Sequence, residues 1–243
     1  MKSNEVTVSI VTVVFNGEKY LEQTIQSVLN QTYSNIEYII IDGGSTDGTV
    51  DIIKKYEHKL AYWVSEKDNG IYNAMNKGIT HCNGELIGII NADDWYESNA
   101  IELVVNAYSE EQFDICHGNL NLIDLNSNIF IKATDDLKDM KKRMMIFHPT
   151  VFIKKSIYLT HGMYDESFNI AADYDLILRL YTKKMKFLRI SKLITNFREG
   201  GISSNFTYVN LRENIKVRSK NKVRSIIFKE FLIYFYFRFK SLK

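Results

Sequence analysis

Proline and cysteine are nearly missing from this chain: Pro149 stands alone among 243 residues, and Cys82 and Cys116 are its only thiols. Two cysteines are too few for a disulfide framework, and no C-x-x-C or Cys/His cluster offers a zinc site. They read as reduced thiols of a cytosolic protein. There is no internal repeat and no low-complexity linker. The start, MKSNEVTVSIVTVVF, lacks a basic stretch leading into a long apolar segment and lacks a small-residue cleavage site, so no signal peptide is expected. The apolar run Phe231 to Phe237 is far too short to span a bilayer. Familiar phosphate-binding loops are missing too. No GxxxxGKS/T occurs, which disfavours a P-loop, and VVFNGEKYLEQ after the first strand candidate has one glycine where a dinucleotide fold needs GxGxxG. No GxSxG elbow is present either.

What is present is an ordinary globular composition, 45% hydrophobic and 25% charged, long enough to bury a sizeable core. The net charge of +2 is unevenly spread. Lys216 to Lys243 hold 9 Lys or Arg against 1 Glu, a net +8, which leaves −6 for residues 1–215. A basic tail of this kind suits nucleic acid or an anionic membrane. Its stretch IIFKEFLIYFYFRFKSL, Ile226 to Leu242, crowds aromatics with aliphatics. That suits a lipid surface better than base stacking, so no nucleic-acid partner is expected. The alternative is an amphipathic helix packed on its own domain or on a second subunit in a homo-oligomer.

The first half alternates strand-like and helix-like patterns. Val6 to Phe15, Ile36 to Ile41, Leu60 to Val64 and Glu85 to Ile90 read as strands. Leu21, Ile25, Val28 and Leu29, then Ile52, Ile53 and Tyr56, then Ile71, Met75 and Ile79, then Ile101, Val104, Val105 and Tyr108 recur at helical spacing. This β-α-β-α order predicts an α/β fold, a Rossmann-like, mostly parallel central sheet with helices on both faces. The second half is less regular. Phe113 to His117, Ile129 to Lys132 and Thr150 to Ile153 read as strands, Asp135 to Met145 as a polar helix, and a further helix starts near Asp173. Phe187 to Ile190 and Ile194 to Phe197 read as a further pair of strands.

In such sheets ligands bind beyond the carboxyl ends of the strands. Three polar clusters fall there: Asn16 after the first strand, Asp42 after the second, and Asn91 to Asp94, in IINADDW, after the fourth. With Asp47 and Asp68 they make a rim of carboxylates. Carboxylates hold a hard cation that in turn holds phosphates, and they accept hydrogen bonds from ribose hydroxyls or a base N–H. The competing account of Asp93 and Asp94 is a helix cap with Trp95 packed nearby.

The ordered segments SIVTVVFN, YLEQTIQSVLNQTYSNIEYIIIDGGSTDGT, DNGIYNAMNKGI, GELIGIINADDW and GMYDESFNIAADYDLILRL, spanning residues 6–200, resemble the family 2 glycosyltransferases of the GT-A fold. The resemblance is greatest to the bacterial branch that builds exopolysaccharide, capsule and O-antigen. It implies a GT-A domain over 1–205, with a nucleotide-binding half at 1–110 and an acceptor-binding half at 111–205, followed by the amphipathic helical tail 206–243. It also implies an inverting transfer from a nucleotide-diphosphate sugar, a UDP-sugar in the first place, to a lipid-linked saccharide at the inner leaflet, with Mn²⁺ or Mg²⁺. The alternative is a sugar-nucleotide-binding protein without catalysis.

Residue by residue, the resemblance implies that Val13, Phe15 and Asp42 contact the base, and that Asp68, Asn73 and Asn76 line the nucleotide and sugar side. Asn91, Asp93 and Asp94 occupy the D-x-D region, and Asp173 is the general base. Two departures stand out: the first D-x-D carboxylate is the amide of Asn91, and Ala172 replaces the usual Glu before Asp173. Asp93 and Asp94 are then the charged candidates, with Asp94 expected on the metal and Asp93 on ribose or a metal-bound water. Asp173 opens a helix, where it either works as a base or only caps. His148 is a candidate under the acceptor or donor, or a structural histidine. Arg198 begins REGGISS, a loop that either closes on the diphosphate, with Arg198 on phosphate, or is a plain surface turn.

Overall fold

The computed structural model describes residues 5–124, 127–200 and 208–223. The stretch Ile226 to Leu242, and residues 201–204 of REGGISS, lie outside the described residues.

The first half follows the β-α alternation. Strands β1 (Val8–Val14), β2 (Ile36–Asp42), β3 (Tyr62–Ser65) and β4 (Leu86–Asn91) alternate with helices α1 (Leu21–Leu29), α2 (Thr49–Tyr56) and α3 (Ile71–His81). Then come β5 (Trp95–Tyr96), α4 (Ala100–Glu110), β6 (Ile115–Ile123), β7 (Asn128–Ile131), β8 (Phe152–Lys154), α5 (Lys155–His161), α6 (Ala172–Thr182), β9 (Phe187–Arg198) and α7 (Tyr208–Lys220). The sheet runs β3-β2-β1-β4-β8-β6-β9-β5, with β7 paired to β6. β3, β2, β1 and β4 are parallel neighbours. Beyond β4 the sheet is mixed: β8 is antiparallel to β4 and β6, β9 is parallel to β6, and β5 is antiparallel to β9.

The period-2 alternation of each parallel strand feeds two cores. Val11, Val13, Ile39, Ile41, Ile87 and Ile89 face the layer of α3 and α6. Ile10, Val14, Tyr38, Ile40, Leu86 and Ile90 face α1, α2 and α4. Helix α3 lies very close to β1, since a Cβ on Gly78 would sit 2.3 Å from Val11 Cγ1.

Four expectations change. Phe187 to Arg198 is one strand, not two; Gly118 pairs with Ile190 and Asn119 with Leu193, so Ser191 and Lys192 bulge out of the ladder. Asp135 to Met145 is not a helix; it contains one turn of 3₁₀ helix, Lys138–Lys141, pinned by buried Met140. Helix α5 and the two-residue β5 were not foreseen. Residues 208–223 do not begin a separate tail: α7 packs on the body, with Leu211 4% and Val217 0% exposed.

Candidate active site

The carboxyl ends of the central strands are level, with Val13 of β1 opposite Ile41 on one side and Asn91 on the other. The Val13 side chain is core, 4% exposed among α3-side residues. Phe15, the first residue beyond the strand end Val14, is 64% exposed, a flat apolar face at the rim. Asn16 has φ 51°, a left-handed conformation that Asn tolerates. Its backbone N–H donates to Ser45 Oγ at 2.7 Å and its Oδ1 accepts from Thr46 N–H at 2.9 Å. Gly17 N–H donates to Thr49 Oγ1 at 2.8 Å, so the loops after β1 and β2 are stitched together.

Asp42 is fully buried and organises this loop. Its carboxylate accepts from Gly44 N–H at 3.1 Å, Ser45 N–H at 3.0 Å, Ser65 Oγ at 2.6 Å, and the Ser45 hydroxyl. It therefore shapes the wall of the site, with three of these bonds on Oδ2 and one on Oδ1. Asp68 is half-buried beside Gly43, where a Cβ would meet its Oδ2 at 2.5 Å, and it accepts from Gly70 N–H at 2.9 Å. Asn76 is also structural: its amide donates to Tyr164 O and Glu166 Oε1 and accepts from Tyr164 N–H. Asn73, partly exposed one turn earlier, donates to Glu166 Oε2 at 2.9 Å.

The segment after β4 divides its two carboxylates. Asp93 is partly exposed, and burial raises its pKa against the opposing pull of Arg198. Asp94 is 0% exposed. Its Oδ1 accepts the backbone N–H of Arg198 at 3.0 Å, and Asn91 Nδ2 lies 3.5 Å from its Oδ2. Burial, then the neighbouring Asp93 charge, push Asp94 up to about 8. Asp94 thus brackets β4 to β9, fully buried, whereas Asp93 is partly exposed. Asn91 Oδ1 is buried with no hydrogen-bond partner among the described residues.

The Arg198 side chain packs against its neighbours at the rim. Its guanidinium lies over Tyr20 at 4.0 Å and Trp95 at 4.9 Å, Nη2 donates to Gln23 Oε1 at 3.0 Å, and Nε donates to Asp93 O at 3.3 Å. It clamps the loop after β1 to the Asp93–Trp95 turn.

Asp173 sits in the first turn of α6, partly exposed, with Oδ1 accepting Tyr174 N–H at 2.7 Å. Burial raises its pKa, and the nearby His148 opposes that shift. Burial lowers the His148 pKa, and Asp173 opposes that in turn. His148 Nε2 pairs with the Tyr164 hydroxyl at 2.7 Å. Asp175 is no base: it is fully buried and ion-paired to Lys220 at 2.8 Å. Glu166 escaped the sequence reading, and its only signal was its place in the loop before Asp173.

The match to known proteins follows this geometry. The model described as "Glycosyl transferase family 2" matches residues 9–169. The chain belongs to glycosyl transferase family 2. Within that family, an uncharacterized glycosyltransferase of Rickettsia typhi is 32% identical over 207 residues, 79% of this chain and 63% of the relative. Chondroitin synthase of Escherichia coli is 31% identical over 196 residues, 78% of this chain and 28% of the relative. The chain thus spans less than two thirds of either relative's length. The solved structure of S. aureus TarS 1-349 in complex with UDP-GlcNAc superposes with a TM-score of 0.76 at 15% identity, over 92% of this chain and 69% of that one. A mannosyltransferase from Pyrobaculum calidifontis in complex with GDP-Man and Mn²⁺ gives 0.65 at 16% identity, over 92% of this chain and 66% of that one. This family 2 glycosyltransferase therefore has the GT-A fold its motifs implied.

Proposed function

We propose that this chain moves a sugar from a nucleotide-diphosphate sugar to an acceptor hydroxyl with inversion at the anomeric carbon. The division of the rim's carboxylates carries the reading: Asp93 stands partly exposed at the end of β4, and Asp173 stands partly exposed at the start of α6. One suits the charged donor side and the other suits a base.

Phe15 supplies a flat face for the base, and the loop held by Asp42 supplies its surround. The acceptor hydroxyl gives its proton to Asp173 as its oxygen bonds to the anomeric carbon, and the sugar–diphosphate bond breaks with its electron pair leaving on the diphosphate. Burial, which raises the proton affinity of Asp173, makes it the better base. A divalent cation fits the donor side: the Asp93 carboxylate and the unpartnered Asn91 Oδ1 are both oxygens, the ligands such ions take, and one or two protein oxygens suffice when phosphates supply others. When bound, the cation would stabilise charge on the departing diphosphate. Mn²⁺ in the mannosyltransferase complex supports this.

UDP-GlcNAc in the TarS complex favours a UDP-sugar, and chondroitin synthase as a relative supports a place in cell-surface polysaccharide synthesis. The basic aromatic stretch from Ile226 to Leu242 supports a lipid-linked acceptor at the inner membrane face. Among the described residues no helix is long and apolar enough to cross a membrane. The test is a screen of nucleotide sugars with Mn²⁺ or Mg²⁺, reading nucleotide diphosphate release. Release from one donor, increased by a saccharide acceptor, is expected. Donor binding without release or transfer would instead identify a binding protein, the reading that Asn91 and Ala172 favour.

A further inference from the structure

Helix α7 presents Glu213, Lys216, Val217 and Lys220 at i, i+3, i+4 and i+7, one helical face. That face grips the loop before α6 residue by residue. Lys220 Nζ pairs with Asp165 at 2.7 Å and, inside α6, with Asp175 at 2.8 Å. Lys216 Nζ donates to Ser167 O at 3.2 Å and Oγ at 3.1 Å, and lies 4.4 Å over the ring of Phe168. Glu213, 7% exposed, accepts three consecutive backbone N–H groups: Asn169 at 2.9 Å, Ile170 at 2.9 Å and Ala171 at 3.0 Å. No side chain of α6's own N-cap residue supplies that cap. The other face of the loop is held by α3, through Tyr72 Oη to Ile170 O at 2.5 Å and through Asn73 and Asn76 to Glu166.

We propose that Glu213 is a positioning residue for Asp173: from outside the 9–169 match, it fixes the backbone that sets the base against the donor-side helix α3. A buried carboxylate at three amides leaves the peptide planes of 169–171 one arrangement, and Asp173 is two residues further on. This rests on the transfer reading above. Glu213 is buried with its carboxylate turned onto the loop, so its loss is expected to act on turnover and not on donor affinity.

The full chain is compared with its Glu213→Gln variant, which keeps the shape but turns an N–H donor toward N–H donors. Transfer kcat falls by on the order of tenfold to a hundredfold, because misplacement of a reacting group by about 1 Å costs that much. The donor Kd by calorimetry changes by less than about threefold, and Asn169 to Ala171 amides exchange hydrogen faster. Glu213→Asp recovers part of the rate. A folded Glu213→Gln variant with unchanged kcat, or with Kd and kcat lost in parallel, overturns the proposal. If that variant does not fold, Lys216→Met is measured instead; a smaller kcat loss at constant Kd supports the proposal, and no loss overturns it. A wild-type chain that transfers no sugar from any donor overturns the transfer reading and this inference with it, whereas equal transfer by wild type and variant overturns the inference alone.

Discussion

Two aspartates of one molecule are held out of water for opposite ends. Asp173 keeps one face open; Asp94 keeps none. Asp173→Asn removes the base while sparing the amide contact at Tyr174, so transfer falls by on the order of 10²- to 10⁴-fold with donor binding retained, measured by product release and calorimetry. For Asp94 the sign follows from its raised value. Its neutral form suits the buried bracket, so its contribution to stability is complete below the unfolded value of about 3.9 and is lost as pH rises through about 8. Asp94→Asn mimics the neutral form. In the presence of a chelator, the Tm of wild type relative to this variant falls as pH is raised across that window; a constant difference would show that Asp94 is already ionised in the folded protein throughout it. The bracketing role of Asp94 was not visible in "ADD", because the residue that holds it comes from β9, far along the chain.

At the scale of elements, β1 and α3 are pressed together at Gly78. Gly78→Ala puts a methyl group into Val11, an overpacking that costs about 1–3 kcal/mol and appears as a lowered Tm in thermal melts. The most legible strands are those with the most buried residues. VSIVTVV and IEYIIID leave no other period to read, and the polar residues that end them mark the rim. The second half hid its elements for three separate reasons. β5 and α5 are too short to show a period. The bulged Ser191–Lys192 reads as a break between strands when it is a fold within one. The Asp135–Met145 stretch has helical composition, but Met140 is drawn into the core and Tyr174 Oη bonds to its carbonyl, so tertiary contacts override propensity. The site was legible by residue type and less so by role: Asp42, Asn76, Asp94 and Arg198 all lie at the rim, and each is occupied in holding it together.

For the whole molecule, the described body runs through α7 to residue 223. Deleting residues 224–243 is expected to leave Tm and donor binding in place and to abolish sedimentation with anionic liposomes; retained sedimentation would assign the membrane affinity to the body. The sheet itself joins distant parts of the chain, since Trp95 pairs with Asn196 and Arg198 closes over Asp94. Joining segments about a hundred residues apart is an entropically costly closure, met late in folding. During synthesis, a ribosome that has delivered the chain through β8 has delivered Phe15, Asp68, Asn91 and Asp93, but not the strand that locks the turn they depend on. A chain clipped before β9 therefore carries these residues without the strand whose Arg198 N–H brackets Asp94.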